Sequence, residues 1–296
     1  MKKTKILIPI FNDWKSLFKL LENIDLQLHG WDADVSVIII NDASSEKKPE
    51  NKLKFNNLSS IKIINMKLNK GHARCIAAGL KYINDNEDFD FVIPMDGDGE
   101  DRPSEIGPIL CKAYDNPGRV ITGNRVQRSE GFFFKFCYLV HKYLTFILTG
   151  QSIKFGNYSC LPKFIVEKMI KEPATWSSFS GSLSKLENIR LSISSTRGSR
   201  YYGPSKMSFM NLLKHSFSII AVFKKTFLIR IILFLIVYLF FVIGKISAIL
   251  LIPVIIVIIM TTSVVLLSRR ENMQEFDKSL ENIENIENIE NIERIL

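Results

Sequence analysis

Between residues 227 and 267 nearly every side chain is apolar, and this stretch restricts the possible architectures of the 296-residue chain more than any other feature. It divides into two runs, 227–243 and 246–267, separated only by Gly244-Lys245. Each is near the ~20 residues that a helix needs to cross the hydrocarbon layer, so a tight transmembrane hairpin is expected over 227–268. Lys224 and Lys225 precede it, Arg230 lies in its first turn, and Arg269 and Arg270 follow it. The excess of cations on cytoplasmic loops then places both ends of the hairpin, and with them the rest of the chain, in the cytoplasm. Residues 208–225 carry Phe209, Leu212, Leu213, Ser216, Ile220 and Phe223 at helical spacing, which predicts an amphipathic juxtamembrane helix over 208–226.

The first two hundred residues read differently. Residues 5–10 form a short Ile-rich run followed by polar Phe11-Asn12-Asp13 and a helical pattern through Leu17, Leu20, Leu21 and Ile24. The unit recurs at 35–40, which ends in Asn41-Asp42, and at 61–64, which leads through Asn69-Lys70-Gly71 into an Ala-rich helix at 72–82. A further buried strand at 91–95 ends in Asp96-Gly97-Asp98. Strands alternating with helices imply right-handed crossovers and a mostly parallel, Rossmann-like α/β sheet covered on both faces. Ligands bind beyond the carboxyl ends of such strands, where three strand ends here deliver acids.

Charge narrows the partners. The formal net charge is +9, yet residues 271–296 hold eight acids and two bases, so the remaining body carries +15. Beside a membrane segment, such a body suits phosphorylated ligands or anionic lipid; no nucleic-acid motif is present, and homo-oligomerisation is left open. Cys75, Cys111, Cys137 and Cys160 lie far apart without metal-ligand spacing, as suits a reduced compartment. The final ENI repeat drifts around a helix, so a solvated, acidic, low-complexity cytoplasmic tail is expected over 269–296.

Two carboxylates spaced as in Asp96-Gly97-Asp98, on a turn after a buried strand, can share a hard divalent cation that bridges two phosphates. The stretch MDGDGEDRP follows IPIFND, IIINDAS and NKGHARCIAAGL in order. Together these resemble the family-2 glycosyltransferases of GT-A fold, over roughly residues 4–210, with 1–207 as the catalytic domain. The resemblance implies a nucleotide-sugar donor and Mg²⁺ or Mn²⁺. It implies that Pro9 and Asp13 border the base and ribose pocket, that Asp42 holds the nucleoside, and that the backbone at Gly71 passes near the nucleotide with Arg74 available to the diphosphate. Asp96 would lie near ribose and metal, Asp98 would be the principal metal ligand, and Glu100 would reach the same metal. Asp13 and Asp42 could instead serve as helix N-caps.

The segment RYYGPSKMS at 200–208 is similar to the R-x-x-G-x-S-K-x-S stretch of the polyprenyl-phosphate, dolichol-phosphate-mannose-synthase-like group, where it forms a loop over the donor. That assigns Arg200, Ser205 and Lys206 to the site. FGNYSCLPK resembles the same group's GDFRLLSR, with Asn157 in place of Asp and Ser159 in place of Arg. Arg125 and Arg128 stand near where relatives hold an acceptor phosphate, the natural partner of guanidinium.

A hydroxyl acceptor needs a general base, whereas a lipid phosphate monoester already carries anionic oxygen at pH 7. Between Glu172 and Glu187 there is no acid, and the Q-x-x-R-W signature of processive synthases is absent. The expected reaction is therefore inverting transfer to a membrane polyprenyl phosphate, within cell-envelope glycan synthesis, with Asp98, Arg125, Arg128, Arg200 and Lys206 as the acting residues. Transfer to a hydroxyl, with Glu172 or Glu187 as base, is the alternative; a non-catalytic membrane scaffold is the reading of another class. The aromatic stretch at 132–148 suits a helix in the lipid interface or an ordinary core helix equally.

Overall fold

The structure is a computed structural model and describes all residues except 51–53, 128–131, 205–208, 246 and 290–296. Alternation of strand and helix begins with β1 (Lys3–Ile10), α1 (Trp14–Gln27), β2 (Asp34–Asn41) and β3 (Ser60–Met66). It continues through α2 (His72–Asn86), β4 (Phe91–Pro94), α3 (Ile106–Asp115) and β5 (Val120–Gln127). The sheet order is β3-β2-β1-β4 at the centre, all parallel. Strands buried on both faces read as near-continuous apolar runs, and seven of the eight residues of β1 and of β2 are buried, with Thr4, Lys5, Ser36 and Asn41 the polar ones among them. Ile6, Ile8 and Ile10 pack on the side of α1 and α3, and Leu7 packs on the side of α2, giving two cores separated by the sheet.

Beyond β4 the chain forms α4 (Phe132–Thr149), β6 (Phe155–Pro162), α5 (Lys163–Met169), α6 (Phe179–Leu186) and β7 (Arg190–Thr196). Here the sheet is mixed: β6 runs antiparallel to β4 and β5, while β7 is parallel to β5. Parallel pairing therefore covers the four central strands and the β5–β7 pair, and the antiparallel pairings in this part of the sheet are those of β6.

Three further helices follow, α7 (Phe209–Val222), α8 (Lys224–Val242) and α9 (Ala248–Ser268). Helices α8 and α9 are long and apolar enough to cross a membrane, and only 11% of the most apolar window of each is buried against protein. They pack with α4 and α7 through Leu148, Ile220, Phe227 and Val264. Arg230 Nη1 donates to the carbonyls of Phe146 (3.1 Å) and Ile147 (2.5 Å), satisfying the C-terminal end of α4. Leu139, Tyr143, Phe146 and Ile147 of α4 remain exposed.

The tail departs from the solvated segment expected of it. It forms α10 (Met273–Asp277) and β8 (Ile283–Asn288), and β8 pairs antiparallel with the outer edge of β3. A register shift opposite Asn65 and Met66 breaks the strand's two-residue alternation: Ile283 packs on the α2-side core, Ile289, just past β8, on the α1-side core, and Ile286 is exposed. The open edge of β3 supplies the hydrogen-bond partners that a free tail would take from water. Phe276 is fully buried and stacks on Trp176.

Candidate active site

Strand order reverses between β1 and β4, because the chain builds β2 and β3 on one side before crossing back. A crevice opens beyond the carboxyl ends of strands at such a point. Asp13 follows β1 there, and Asp96-Gly97-Asp98 follows β4. The Asp-rich turn is held internally, since the Asp96 N–H donates to Asp101 Oδ2 (2.9 Å) and the Glu100 N–H to Asp98 Oδ1 (3.0 Å). Gly99 sits at φ +89°, and a Cβ there would lie 2.4 Å from the ring of Tyr201, so this turn requires glycine on both counts.

Asp98 is largely buried. Burial, then the like charge of Asp96, push its pKa up to about 6 against the opposing backbone hydrogen bond and the Arg200 charge. Arg200 donates from Nη1 to Asp98 Oδ2 (2.7 Å) and from Nη2 to Asp13 Oδ2 (2.5 Å). Asp13 occupies the N-cap position of α1 but makes no side-chain cap bond, because its carboxylate is turned to Arg200. The 197–201 segment lies over the turn, with the Gly198 N–H on the Glu100 carbonyl (2.8 Å) and the Tyr201 N–H on the Asp98 carbonyl (3.0 Å).

Several expectations change. Glu100 is ion-paired with Arg197, and among the described residues no three His, Cys, Asp or Glu side chains converge on a metal position, so the set Asp96, Asp98 and Glu100 is not assembled. Arg74, expected at the diphosphate, lies over the Trp176 ring (5.2 Å) and pairs with Glu275 of the tail (3.1 Å). Asp42 is buried, and its two carboxylate oxygens accept from the Lys70 and Gly71 N–H groups, each at 2.8 Å. It therefore fixes the Asn69-Lys70-Gly71 turn. Pro9 is buried in β1 opposite Ile40. Asn12 (φ 50°) and Ala43 (φ 56°) adopt strained left-handed conformations at the ends of β1 and β2, and the Asn12 N–H donates to Ser44 Oγ at 2.8 Å.

Two more residues join the site: Asn157, which stands where the resembled group has Asp, and His72, to which no sequence pattern assigned a role. Asn157 Nδ2, from β6, lies 3.2 Å from Asp96 Oδ1 and 2.8 Å from His72 Nε2. His72 Nε2 is 3.3 Å from the same Asp96 oxygen. Desolvation, which would lower the His72 pKa, is outweighed by the hydrogen bond and charge of Asp96, and the net direction is upward. Arg125 lies in β5, while its side chain, and all of Arg128, Ser205 and Lys206, lie outside the described residues. Glu172 accepts from the Ala174 N–H and pairs with Lys185 (2.8 Å), and Glu187 accepts from the Ile189 N–H, so both acids are engaged locally.

The family model for glycosyl transferase family 2 matches residues 5–163, more than half of the chain, from within β1 to the end of β6. The chain belongs to glycosyltransferase family 2. Among relatives of this family-2 chain, the undecaprenyl-phosphate 4-deoxy-4-formamido-L-arabinose transferase of Photorhabdus laumondii is 28% identical over 221 residues, covering 72% of this chain. The aligned part spans 65% of that relative's length. Among solved structures, glucosyl-3-phosphoglycerate synthase from Mycobacterium tuberculosis, in complex with Mn²⁺, UDP-glucose and phosphoglyceric acid, superposes with a TM-score of 0.51 at 12% identity. That match covers 76% of this chain and 79% of the synthase, and the two share the fold.

Proposed function

We propose that this family-2 enzyme transfers a sugar from a nucleotide-sugar to a polyprenyl phosphate at the cytoplasmic membrane face, with inversion. The observation that carries the reading is the Asp13–Arg200–Asp98 bridge at the strand-order reversal, beside Asp96. Paired carboxylates and a guanidinium in one crevice support a site for a diphosphate leaving group, which needs compensating charge as it departs. Asp98 and Asp96 fit a hard divalent cation, Mg²⁺ or Mn²⁺: burial and mutual repulsion leave them short of positive charge, and two carboxylates with substrate phosphates are a common ligand set for Mg²⁺. When bound, such an ion would neutralise charge developing on the diphosphate.

The acceptor reading rests on three further points. Helices α8 and α9 tether the site to a bilayer, and Glu172 and Glu187, the candidate bases for a hydroxyl acceptor, are both tied up in their own turns. The relative from Photorhabdus laumondii is by name an undecaprenyl-phosphate sugar transferase. A lipid phosphate needs orientation and partial desolvation but no base, and Arg125, Arg128 and Lys206 are proposed to supply the orientation. Return of the tail to the β3 edge favours a hairpin with both ends on the catalytic side.

The test is transfer of radiolabelled sugar from UDP- and GDP-sugars to undecaprenyl phosphate in nanodiscs, with Mn²⁺ or Mg²⁺ and with EDTA. A mild-acid-labile lipid product that requires metal and disappears in Asp98→Ala is expected. Donor hydrolysis with no labelled lipid would redirect the assignment to a hydroxyl acceptor.

A further inference from the structure

A cavity of about 440 Å³ opens beyond the carboxyl ends of β2 and β3, and its walls include Trp14, Ala43, Asn65, Asn285 and Glu287. Two of these come from β8, in the C-terminal repeat. From β4 across β1 and β2 to β3 is three strand spacings, about 14 Å. That is the reach of an extended nucleoside diphosphate whose phosphates lie at Asp96 and Asp98, so its base would arrive at this cavity.

Asn65, at the carboxyl end of β3, is held from two directions. Its Oδ1 accepts from Asn41 Nδ2 (2.8 Å), while its Nδ2 donates to Asn285 Oδ1 and to Glu287 Oε1, both at 2.6 Å. Glu287 is in turn paired with Lys48. An unrestrained carboxamide can present either its donor or its acceptor end to a base, whereas one whose oxygen and nitrogen are both engaged is fixed in orientation. The tail also grips the neighbouring turn, since Glu275 pairs with Lys70 (3.3 Å). A strand serving only to cover the edge of β3 would need its backbone bonds alone, not this side-chain network.

Resting on the donor reading above, we propose that the C-terminal tail is part of the donor site: Asn285 and Glu287 are positioning residues that hold Asn65 and thereby set which nucleobase the cavity accepts. The side chains act at the rim of the cavity and take no part in chemistry, so their loss affects donor affinity and base preference without slowing the bound complex.

The experiment uses the full-length protein in nanodiscs, with UDP and GDP as probes in the presence of Mn²⁺ and with donor KM and kcat measured alongside. Asn285→Ala and Glu287→Ala are expected to weaken the preferred nucleotide about tenfold, to narrow the UDP/GDP ratio, and to leave kcat within about twofold. Glu287→Gln should recover most of the affinity because its amide oxygen still accepts from Asn65, and Ile286→Ala, at an exposed position of the same strand, should bind as the parent does. Unchanged nucleotide affinity in the alanine variants, an equal loss in Ile286→Ala, or a loss that follows a falling Tm would each overturn the inference while leaving the donor site standing. A parent protein that binds neither nucleotide would instead overturn the donor reading itself.

Discussion

Arg200 reaches Asp98 across 102 residues of chain, with Nη1 2.7 Å from Oδ2, and so supplies positive charge directly to this buried carboxylate. A metal ligand must be deprotonated to bind. Because burial and Asp96 push Asp98 up to about 6, affinity for Mn²⁺ is expected to fall as pH drops through about 6. Arg200→Ala removes a charge that holds the pKa down, so the fall should move to higher pH. Titrating Mn²⁺ in the presence of UDP between pH 5 and 8 checks this, and an affinity flat across that range in the parent would remove Asp98 from the ligand set.

The same shift acts against the metal-free fold. A carboxyl whose folded pKa lies above its unfolded value binds its proton more tightly when folded, so its contribution to stability declines as pH rises from about 4 through about 6. At neutral pH this amounts to on the order of 1–3 kcal/mol. Asp98→Asn should therefore raise the Tm of the metal-free protein at pH 7.5, keep the acceptor for Arg200, and abolish metal binding. A lower Tm in this variant would argue that the Arg200 ion pair outweighs the burial cost.

His72 carries the opposite sign. Its raised pKa means that its pairing with Asp96 stabilises the fold fully below its unfolded pKa, about 6.5, and is lost as pH rises through the higher folded value. An NMR titration of the His72 ring should have its midpoint above 6.5 in the parent and move down in Asp96→Asn. A midpoint that ignores the substitution would mean that Asp96 is not its partner in solution.

The parallel centre of the fold was legible because strands buried on both faces read as apolar runs, as 35–40 does, and because acids cluster where such strands end. The meeting of His72 and Asn157 was not legible: they lie 85 positions apart on α2 and β6 and meet only because the antiparallel flank folds β6 beside β4. The resemblance named Glu100 and Arg74, but it could not anticipate that Arg197 and Glu275 take them as partners. The docking of 273–288 is not legible in the sequence, because a period of three suits neither a helix nor a two-faced strand and the fold of this segment depends on a vacant sheet edge that no local pattern reports.

Docking of the tail bears on topology. Strand β8 is bonded to the sheet that precedes α8, so on the proposed reading of α8 and α9 as a transmembrane hairpin both of its ends lie on one side, with Lys245 at the far end. Single-cysteine variants Lys245→Cys and Lys278→Cys, in a background without the native cysteines, are expected to behave oppositely toward an impermeant maleimide in spheroplasts. Lys245→Cys should label at once and Lys278→Cys only after permeabilisation; equal labelling of both would rule out a hairpin that spans the bilayer.

Tail docking also carries an energetic consequence that separates it from a solvated extension. Phe276 has no exposed surface, its ring lies 5.3 Å from that of Trp176, and Trp176 Nε1 donates to Glu275 Oε2 at 3.1 Å. Truncating a buried phenylalanine costs about 3–5 kcal/mol through lost transfer energy and the cavity left behind. Phe276→Ala should therefore lower the denaturation midpoint of the full-length protein in detergent by that amount, whereas Glu284→Ala on the exposed part of β8 should change it by less than about 0.5 kcal/mol. Because the uncovered edge of β3 would present unpaired backbone groups, Phe276→Ala should also self-associate on storage. Equal stability of the two variants would return the segment to the solvated state that its composition suggests.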